Sequence, residues 1–528
     1  MKRKTVSVLL ACVLAGSMGA SVSAEGNVLD VALGEDITTL DVMDTSNDYL
    51  VPMNVFDRLF EVNVLEDGST EIVNSLCSDY TVSEDGLTYV FTLQEGVKFS
   101  NGEDFTAEDV EYTFQHLLSP ESQNADIPLE VKGAQEFMDG TADTLEGITV
   151  DGDYQISITL SAPNAGFIAE LTAPAMSIID KTTVEGASNY GIAVEETVGT
   201  GPYVITEWEN NDHITLVRNE NYWGEPTSVD TCVIHIIPDA STQNLMYQNG
   251  ELDIIDLDCL DSSIVASTYE TQYADKLVSR DRLALTYMML NANNEYLSDP
   301  VVRQAIQMSV DRQSLLDAVF GGKGHLENGI IPTGVLGHND AGTEITYDPE
   351  GAKQLLADAG YEEGEITFEM AYDSSSGSNP QMVDQIIQQQ LAAVGINMEI
   401  KTYDQSSWLA TRKAGELDSY TGTWTMDYND PANIMATLFG SEDNVVLRSN
   451  NYKDTEVISR VANASSIVDD AERYAEYQAL EEKIVHEDYA LVPMYALRHT
   501  FAIGDEVESF QPHWAGYSNF YIKDVVMK

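Results

Sequence analysis

Hydrophobic and polar positions alternate most clearly between residues 366 and 428. The pattern predicts a strand, a helix, a strand, a helix and a strand, in the segments ITFEMAYD, NPQMVDQIIQQQLAAVG, INMEIKTY, WLATRKAG and SYTGTWTM. This order predicts a parallel sheet, and in open sheets of this kind ligands bind beyond the carboxyl ends of the strands. Asp427 follows the last strand, so we take it as a candidate ligand anchor. A carboxylate there suits a cationic ligand group.

Turn and capping residues mark the ends of further elements. The dipeptides Asp85-Gly86 and Asn101-Gly102 lie between β-rich runs and predict hairpins, as does the alternation over residues 145–160. A glycine and proline cluster at 199–203 is typical of a chain reversal or a domain crossing. The predicted helix N-caps are Thr106, Asp299, Asp311 and Asp348.

Composition indicates a large, strongly acidic protein. The chain has 528 residues, more than one hydrophobic core usually supports, and 43% of them are hydrophobic. We therefore expect two large lobes. It carries 26 basic and 88 acidic residues, a formal net charge of −62. Such a surface repels phosphate backbones, so we exclude nucleic acid as a partner.

The first residues predict export. Three basic residues precede an apolar run, and small residues end at Ala24, which predicts a signal peptide over residues 1–24. The segment Leu9 to Cys12 partly resembles a lipoprotein cleavage box, and cleavage there would leave a diacylated Cys12. We favour cleavage after Ala24, where the small residues fit a signal peptidase site better. No later apolar run in the sequence is long enough to span a bilayer.

Motifs of catalysis or metal binding are not evident. The sequence has no GxSxG elbow, P-loop or HExxH, and its eight histidines lack metal-ligand spacing. We therefore expect no enzyme, no metal and no cofactor, although a secreted hydrolase with paired carboxylates stays an alternative. Beyond residue 24 the cysteines are Cys77, Cys232 and Cys259; we expect buried free thiols, with one bridge between Cys232 and Cys259 left open.

Five separate blocks of the sequence form a recognisable set: DGLTYVFTLQEGVKFSNGEDFTAEDVEYTF, GTGPYVITEWENNDHITLVRNENYWG, DPVVRQAIQMSVDRQSLL, YDPEGAKQLLADAGY and WTMDYNDP. They resemble family 5 of the bacterial extracellular solute-binding proteins, which serve peptide and nickel ABC transporters. The resemblance implies an α/β, two-lobe, hinged clamp of the periplasmic-binding-protein type (type II, cluster C), with an extra N-terminal subdomain. The boundaries that we assign are lobe I over 25–62, 198–284 and 497–528, the extra subdomain over 63–197, and lobe II over 285–496.

The resemblance also implies site residues and partners. Trp424 and Asp427 match the Trp-x-x-Asp pattern of peptide-binding members, whose aspartate pairs with the ligand's terminal ammonium. Trp424 would wall the cleft or pack in the core, and a turn or capping acid is the alternative for Asp427. Asp430 we interpret as a structural cap of the helix that follows Pro431.

The expected ligand class depends on an arginine that dipeptide-selective members have and this chain lacks. Dipeptide-selective members carry an arginine near the end of an earlier strand, where this chain reads Ser374-Ser375-Ser376-Gly377-Ser378. We therefore favour oligopeptides, with oligosaccharide, nickel or haem as alternatives. Arg412 could reach a ligand carboxylate, or be a solvated arginine at a helix end. The implied partner is the membrane permease of an ABC importer, and we expect a monomer.

Overall fold

The structure is a computed structural model that describes residues 26–45, 49–65 and 68–528. The predicted signal peptide, including Cys12, lies outside the described residues. Within them, no helix is both long and apolar enough to cross a membrane.

Strands and helices alternate along the chain, which confirms the α/β class. The strands are β1 Val28–Leu33, β2 Phe60–Val64, β3 Thr70–Asn74, β4 Cys77–Val82, β5 Thr88–Leu93, β6 Ile148–Val150, β7 Gln155–Thr159, β8 Tyr203–Glu209, β9 His213–Arg218, β10 Thr231–Ile236, β11 Ile254–Asp256, β12 Leu277–Asp281, β13 Ala284–Leu290, β14 Gly324–Leu326, β15 Thr367–Asp373, β16 Asn397–Tyr403, β17 Ser419–Thr425, β18 Leu491–Ile503, β19 Val507–Ser509 and β20 Val526–Met527. The α-helices are α1 Leu50–Val55, α2 Ala107–Leu117, α3 Ala134–Met138, α4 Phe167–Glu170, α5 Lys181–Gly186, α6 Ala240–Asn249, α7 Ser262–Ile264, α8 Glu270–Gln272, α9 Pro300–Ser309, α10 Arg312–Phe320, α11 Pro349–Asp358, α12 Ser378–Ala393, α13 Gln405–Lys413, α14 Ala432–Phe439, α15 Glu442–Leu447, α16 Thr455–Ala464 and α17 Asp470–Glu482.

The predicted parallel segment is confirmed. Strand β15 pairs in parallel with β16 and with β17, and helices α12 and α13 connect the strands. On its other side β17 pairs antiparallel with β13, more than a hundred residues earlier in the chain. The local pattern could not indicate that pairing, because it joins segments that are distant in sequence.

Strand β18 is 13 residues long and joins two parts of the large sheet. Its first half pairs antiparallel with β13 and its second half with β12. Since β12 and β13 follow one another directly in the chain, residues 277–290 and 491–503 run side by side as a two-stranded ribbon. Strands β14 and β11 flank the ribbon along the other edge of β18.

The large sheet is covered on both faces. Every residue of β13 is buried, and successive side chains of a strand point to opposite faces. Leu285, Tyr287 and Met289 accordingly pack in one hydrophobic core, and Met288 and Leu290 pack in another. This is the arrangement expected for a sheet with helices on both sides.

Two four-stranded sheets and the two-stranded sheet of β2 and β3 form in the N-terminal half. Strands β1, β10, β9 and β8 make one sheet, and β4, β5, β7 and β6 make the other. The hairpins predicted at Asp85-Gly86 and over residues 145–160 are confirmed as the antiparallel pairs β4–β5 and β6–β7.

The predicted helix starts are also confirmed. Asp109 accepts hydrogen bonds from the backbone nitrogen and the hydroxyl of Thr106 at the start of α2. Asp299, Asp311 and Asp348 each accept a hydrogen bond from a backbone N–H in the first turn of α9, α10 and α11. Each of these N-caps satisfies a backbone donor that the helix itself leaves without a partner.

Candidate functional site

A cavity of about 760 Å³ lies at the carboxyl ends of β15 and β17. Tyr372 and Asp373 at the end of β15 and residues 420–424 of β17 line it, together with residues from the start of α12. Residues 257–262 and Arg498 form part of its wall from other segments of the chain. The cavity therefore occupies the place where an open parallel sheet binds ligands, and its volume is typical of ligand sites.

Asp427 is partly buried just beyond the end of β17, beside the cavity rather than among the residues that line it. Its Oδ1 accepts a hydrogen bond of 2.9 Å from Tyr517, and its Oδ2 accepts one of 3.2 Å from Nδ2 of Asn433. Burial raises the pKa of Asp427, while these hydrogen bonds and the charge of Arg448 act in the opposite direction. A cation brought next to this carboxylate would be stabilised by it.

Trp424 and Arg412 both line the cavity. The indole Nε1 of Trp424 donates a 2.7 Å hydrogen bond to Asn433, the same residue that contacts Asp427. Trp424 also packs against the adjacent hydrophobic core. Arg412, in the last turn of α13, is partly buried against Trp408 rather than fully solvated.

Asp384 was not foreseen as a site residue. This fully buried side chain belongs to α12 and to the cavity wall, and its Oδ1 accepts a 3.0 Å hydrogen bond from Thr421. Its Oδ2 has no hydrogen-bond partner in the described chain. Burial raises the pKa of Asp384 to about 7, with the Thr421 hydrogen bond acting against this shift.

One cluster beside the cavity has the composition of a metal site. Ligand atoms of Asp256, Asp258 and His499 lie within 4.8 Å of one another. However, Nδ1 of His499 lies 2.9 Å from the carbonyl oxygen of Gly516 and Nε2 lies 2.9 Å from Asp256. Burial lowers the pKa of His499, but the charges of Asp256 and Asp258 raise it overall. In the structure His499 is therefore an ion-pair partner of Asp256, and its other ring nitrogen contacts the backbone.

Asp430 has the structural role that its position predicts. Its Oδ1 accepts a 2.9 Å hydrogen bond from the backbone of Ala432 at the start of α14. Its Oδ2 also forms an ion pair with Arg473, and both side chains are almost fully buried. Burial raises the pKa of Asp430 and the charge of Arg473 opposes that rise.

The three cysteines within the described residues are free thiols, and no bridge joins Cys232 to Cys259. Cys77 and Cys232 are buried as expected, whereas the expectation is wrong for Cys259, which is exposed. Cys259 follows a short β-strand and lies in the cavity wall, where no core covers it.

Known proteins resemble this chain over most of its length. A model of the bacterial extracellular solute-binding proteins, family 5 Middle, matches residues 71–445. The heme-binding protein A of Haemophilus influenzae is 28% identical over 480 residues, which cover 88% of this chain and 86% of that protein. The dipeptide-binding protein of Escherichia coli is 28% identical over 451 residues, which cover 82% of each.

A solved structure supports the same relationship. The periplasmic binding protein DppA of Helicobacter pylori, in complex with the peptide STSA, superposes with a TM-score of 0.76 at 25% identity. The match covers 95% of this chain and 98% of that one. The two-lobe clamp fold expected from the sequence is thereby confirmed.

Proposed function

The chain belongs to the bacterial extracellular solute-binding proteins, family 5, and from that membership we propose that it captures oligopeptides for an ABC importer. The observation that carries the proposal is the Asp427 carboxylate at the end of β17, three residues beyond the cavity-lining Trp424. A peptide ammonium that leaves water needs such a carboxylate within hydrogen-bond distance. The family is one of substrate-binding proteins and not of enzymes.

Trp424, Asp427 and Arg412 are the ligand contacts in this proposal. Asp427 holds the ammonium, Trp424 forms one wall of the cleft, and Arg412 offers a positive charge to the rest of the ligand. Exposed strand edges would supply backbone hydrogen bonds to an extended peptide, as an added strand would receive them. The dipeptide-binding relative and the DppA complex with a peptide support this ligand class.

Haem is the second candidate ligand. The match to the heme-binding protein A of Haemophilus influenzae covers 88% of the chain, and the match to the dipeptide-binding protein of Escherichia coli covers 82%. Within the described residues one group has metal-ligand composition, and two of its members, Asp256 and His499, form an ion pair with each other. Peptide binding has the better support, because Trp424 lines the cavity and Asp427 lies beside it.

Closure of two lobes around the ligand is part of the proposal. Lobe I comprises residues 25–62, 198–284 and 497–528. The extra subdomain comprises residues 63–197, and lobe II comprises residues 285–496. The sheet of β1, β10, β9 and β8 falls in the first set, and the parallel strands fall in lobe II. A ligand that contacts both lobes only in the closed state shifts the equilibrium towards it.

We further propose that the protein is exported, is monomeric and delivers its ligand to a membrane permease. The intact mass of the secreted protein would distinguish an N-terminus at Glu25 from a diacylated Cys12. Sedimentation of the ligand-free protein would show whether it is a monomer.

A thermal-shift screen of residues 25–528 tests the ligand class, because ligands that bind only the native state raise its melting temperature. The panel is free-amino peptides, the same peptides N-acetylated, oligosaccharides, Ni²⁺ and haem. We expect stabilisation by free-amino peptides and none by their acetylated forms. Stabilisation by haem, sugar or Ni²⁺ alone would overturn the peptide proposal.

A further inference from the structure

Asp384 is an acid of the cavity wall with one oxygen that has no donor. It lies in α12 and is fully buried, and its Oδ1 accepts the 3.0 Å hydrogen bond from Thr421 of β17. Its Oδ2 is buried as well and has no hydrogen-bond partner among the described residues. Burying a polar oxygen without a donor is unfavourable, and nearly all buried polar groups in proteins have a partner. The missing donor is one that the described chain does not provide.

No positive charge within the described residues neutralises this acid. Burial and the Thr421 hydrogen bond are the two influences on the pKa of Asp384, so no charged side chain of the elements packed around it offsets its charge. Asp258 in the same cavity wall is different, because it forms an ion pair with Arg282. Asp384 therefore has neither a second donor nor a structural counter-charge in the part of the chain that is described.

The surroundings of Asp384 suit a long basic side chain. Val383, Phe320 and Tyr495 line the same cavity. The rings of Phe320 and Tyr495 pack with their centroids 5.4 Å apart. Burial raises the pKa of Tyr495 and the charge of Asp384 raises it further, which places this ring close to the acid. Apolar walls accommodate the methylene stem of a lysine or arginine, and aromatic faces attract its charged end.

We infer that Asp384 forms a subsite for a positively charged side chain of the ligand, a lysine ammonium or an arginine guanidinium. The inference rests on the proposed function and adds to it a preference for basic residues. The N–H groups of the ligand donate to Oδ2, while Thr421 continues to donate to Oδ1. A hydrogen bond between two charged groups is about twice as strong as one between neutral groups.

The subsite lies apart from the Asp427 anchor. At about 3.3 Å per residue, Thr421 is roughly 13 Å from the end of β17 at Thr425. Asp427 lies beyond that end. A peptide whose ammonium is bound by Asp427 therefore cannot reach Asp384 with the side chain of its first residue. The basic residue must be a later one.

Titration calorimetry with matched peptides at pH 7.5 tests the inference. Alanine tripeptides and pentapeptides carry a single lysine at each position after the first, and the matched set carries norleucine, which has the lysine stem without the ammonium. At one position the lysine peptide should bind about tenfold or more tightly than the norleucine peptide, because it alone forms the charge-assisted hydrogen bond.

Variants assign the preference to Asp384. Asp384→Asn keeps the size of the side chain and removes its charge, so the lysine preference should fall to about twofold or less. The norleucine peptides should bind to it as before. Asp373→Asn is the matched control: Asp373 also lines the cavity, but its Oδ1 already accepts hydrogen bonds from the backbone and the hydroxyl of Ser375. There the preference should not change. Melting curves show whether each variant is folded.

Proton release gives a second readout, which an acid with only a structural role would not affect. The pKa of Asp384 is about 7, so its carboxyl is mostly protonated at pH 6, and a bound ammonium favours the ionised form. Calorimetry in buffers of different ionisation enthalpy should show that the lysine peptide releases about one proton more than the norleucine peptide. Asp384→Asn should abolish this difference. Equal proton release by the two peptides would contradict the contact.

The outcomes separate this inference from the proposed function. If lysine and norleucine peptides bind equally at every position, the basic subsite is overturned and peptide binding remains. A lysine preference that survives Asp384→Asn, or that Asp373→Asn removes to the same extent, belongs to the general negative charge of the protein and also overturns the subsite. Absence of binding by any peptide overturns the proposed function, and the subsite with it.

Discussion

The hydroxyl of Tyr517 donates a 2.9 Å hydrogen bond to Oδ1 of Asp427. This contact joins the C-terminal segment to the end of β17, which precedes it by 90 residues. Asn433 donates to the other carboxylate oxygen. Both oxygens therefore have neutral donors, and no described cation lies within ion-pair distance. The charge of Arg448 acts on this carboxylate only from beyond ion-pair distance, so the ammonium of the proposed ligand would be its first direct cationic partner.

Replacing Asp427 tests this arrangement. Asp427→Asn should weaken binding of free-amino peptides by about 2–5 kcal/mol, because a buried ammonium loses its carboxylate partner. Titration calorimetry gives the affinity. Tyr517→Phe is the control, since it removes one donor and keeps the carboxylate; it should change the affinity by about 1 kcal/mol or less. Equal losses in the two variants would assign the effect to local structure.

The buried pair of Asp430 and Arg473 should matter for stability and not for ligand binding. Asp430→Asn should lower the free energy of unfolding by about 3–5 kcal/mol, because it leaves a buried guanidinium without its buried partner. Asp470→Asn removes the exposed second partner of Arg473 and should cost about 1 kcal/mol or less. Urea denaturation measures both. If the two variants lost similar amounts of unfolding free energy, burial of the Asp430–Arg473 pair would not contribute to stability.

Asp384 should make stability depend on pH. Its pKa is about 7 in the folded protein against an ordinary 3.8, so the folded state binds more protons than the unfolded state between these values. Its contribution to stability therefore falls as pH rises from about 4 to 7 and is constant above that range. Relative to the unaltered protein, Asp384→Asn should become more stable by up to about 4 kcal/mol over this window.

Urea denaturation of both proteins at pH 4.5, 6.0 and 7.5 checks this expectation. The remaining carboxylates contribute equally to both proteins, so they cancel in the difference. A difference that stays constant with pH would mean that Asp384 titrates normally.

Gly199 lies where the backbone comes too close for a side chain. A Cβ at this position would be 2.1 Å from the carbonyl oxygen of Val55 and 2.8 Å from the ring of Phe56. Gly199→Ala should lower the free energy of unfolding by roughly 1–3 kcal/mol through overpacking. Gly186→Ala, where nothing lies within 4 Å, should change it by about 0.5 kcal/mol or less. Equal melting temperatures for the two variants would contradict this reading.

Local features of the fold could be predicted because their signals are local. The three parallel strands, the hairpins at Asp85-Gly86 and over residues 145–160, and the N-caps at Thr106, Asp299, Asp311 and Asp348 each depend on residues within one segment, whereas Asn101-Gly102 is closed only by an isolated bridge between Lys98 and Asp104. The cavity position followed from the strand order, since it lies at the carboxyl ends of β15 and β17.

The partners of the site residues could not be predicted. Tyr517 reaches Asp427 and Arg473 reaches Asp430 from segments that are distant in sequence. Arg448 follows a short helix that the pattern did not single out, and its stacking on Trp424 is a tertiary contact. The exposure of Cys259 likewise depends on what packs around it and not on its own segment.

The ribbon of β12, β13 and β18 constrains how the two proposed lobes can move. Both chain segments of the ribbon are hydrogen-bonded to each other over most of their length, with one register shift between Thr286 and Tyr287. Sliding one past the other would turn their side chains to the wrong faces of the sheet. Opening and closing should therefore approximate rotation of the lobes about a single axis. A peptide bound to one lobe would then always approach the other lobe from the same direction.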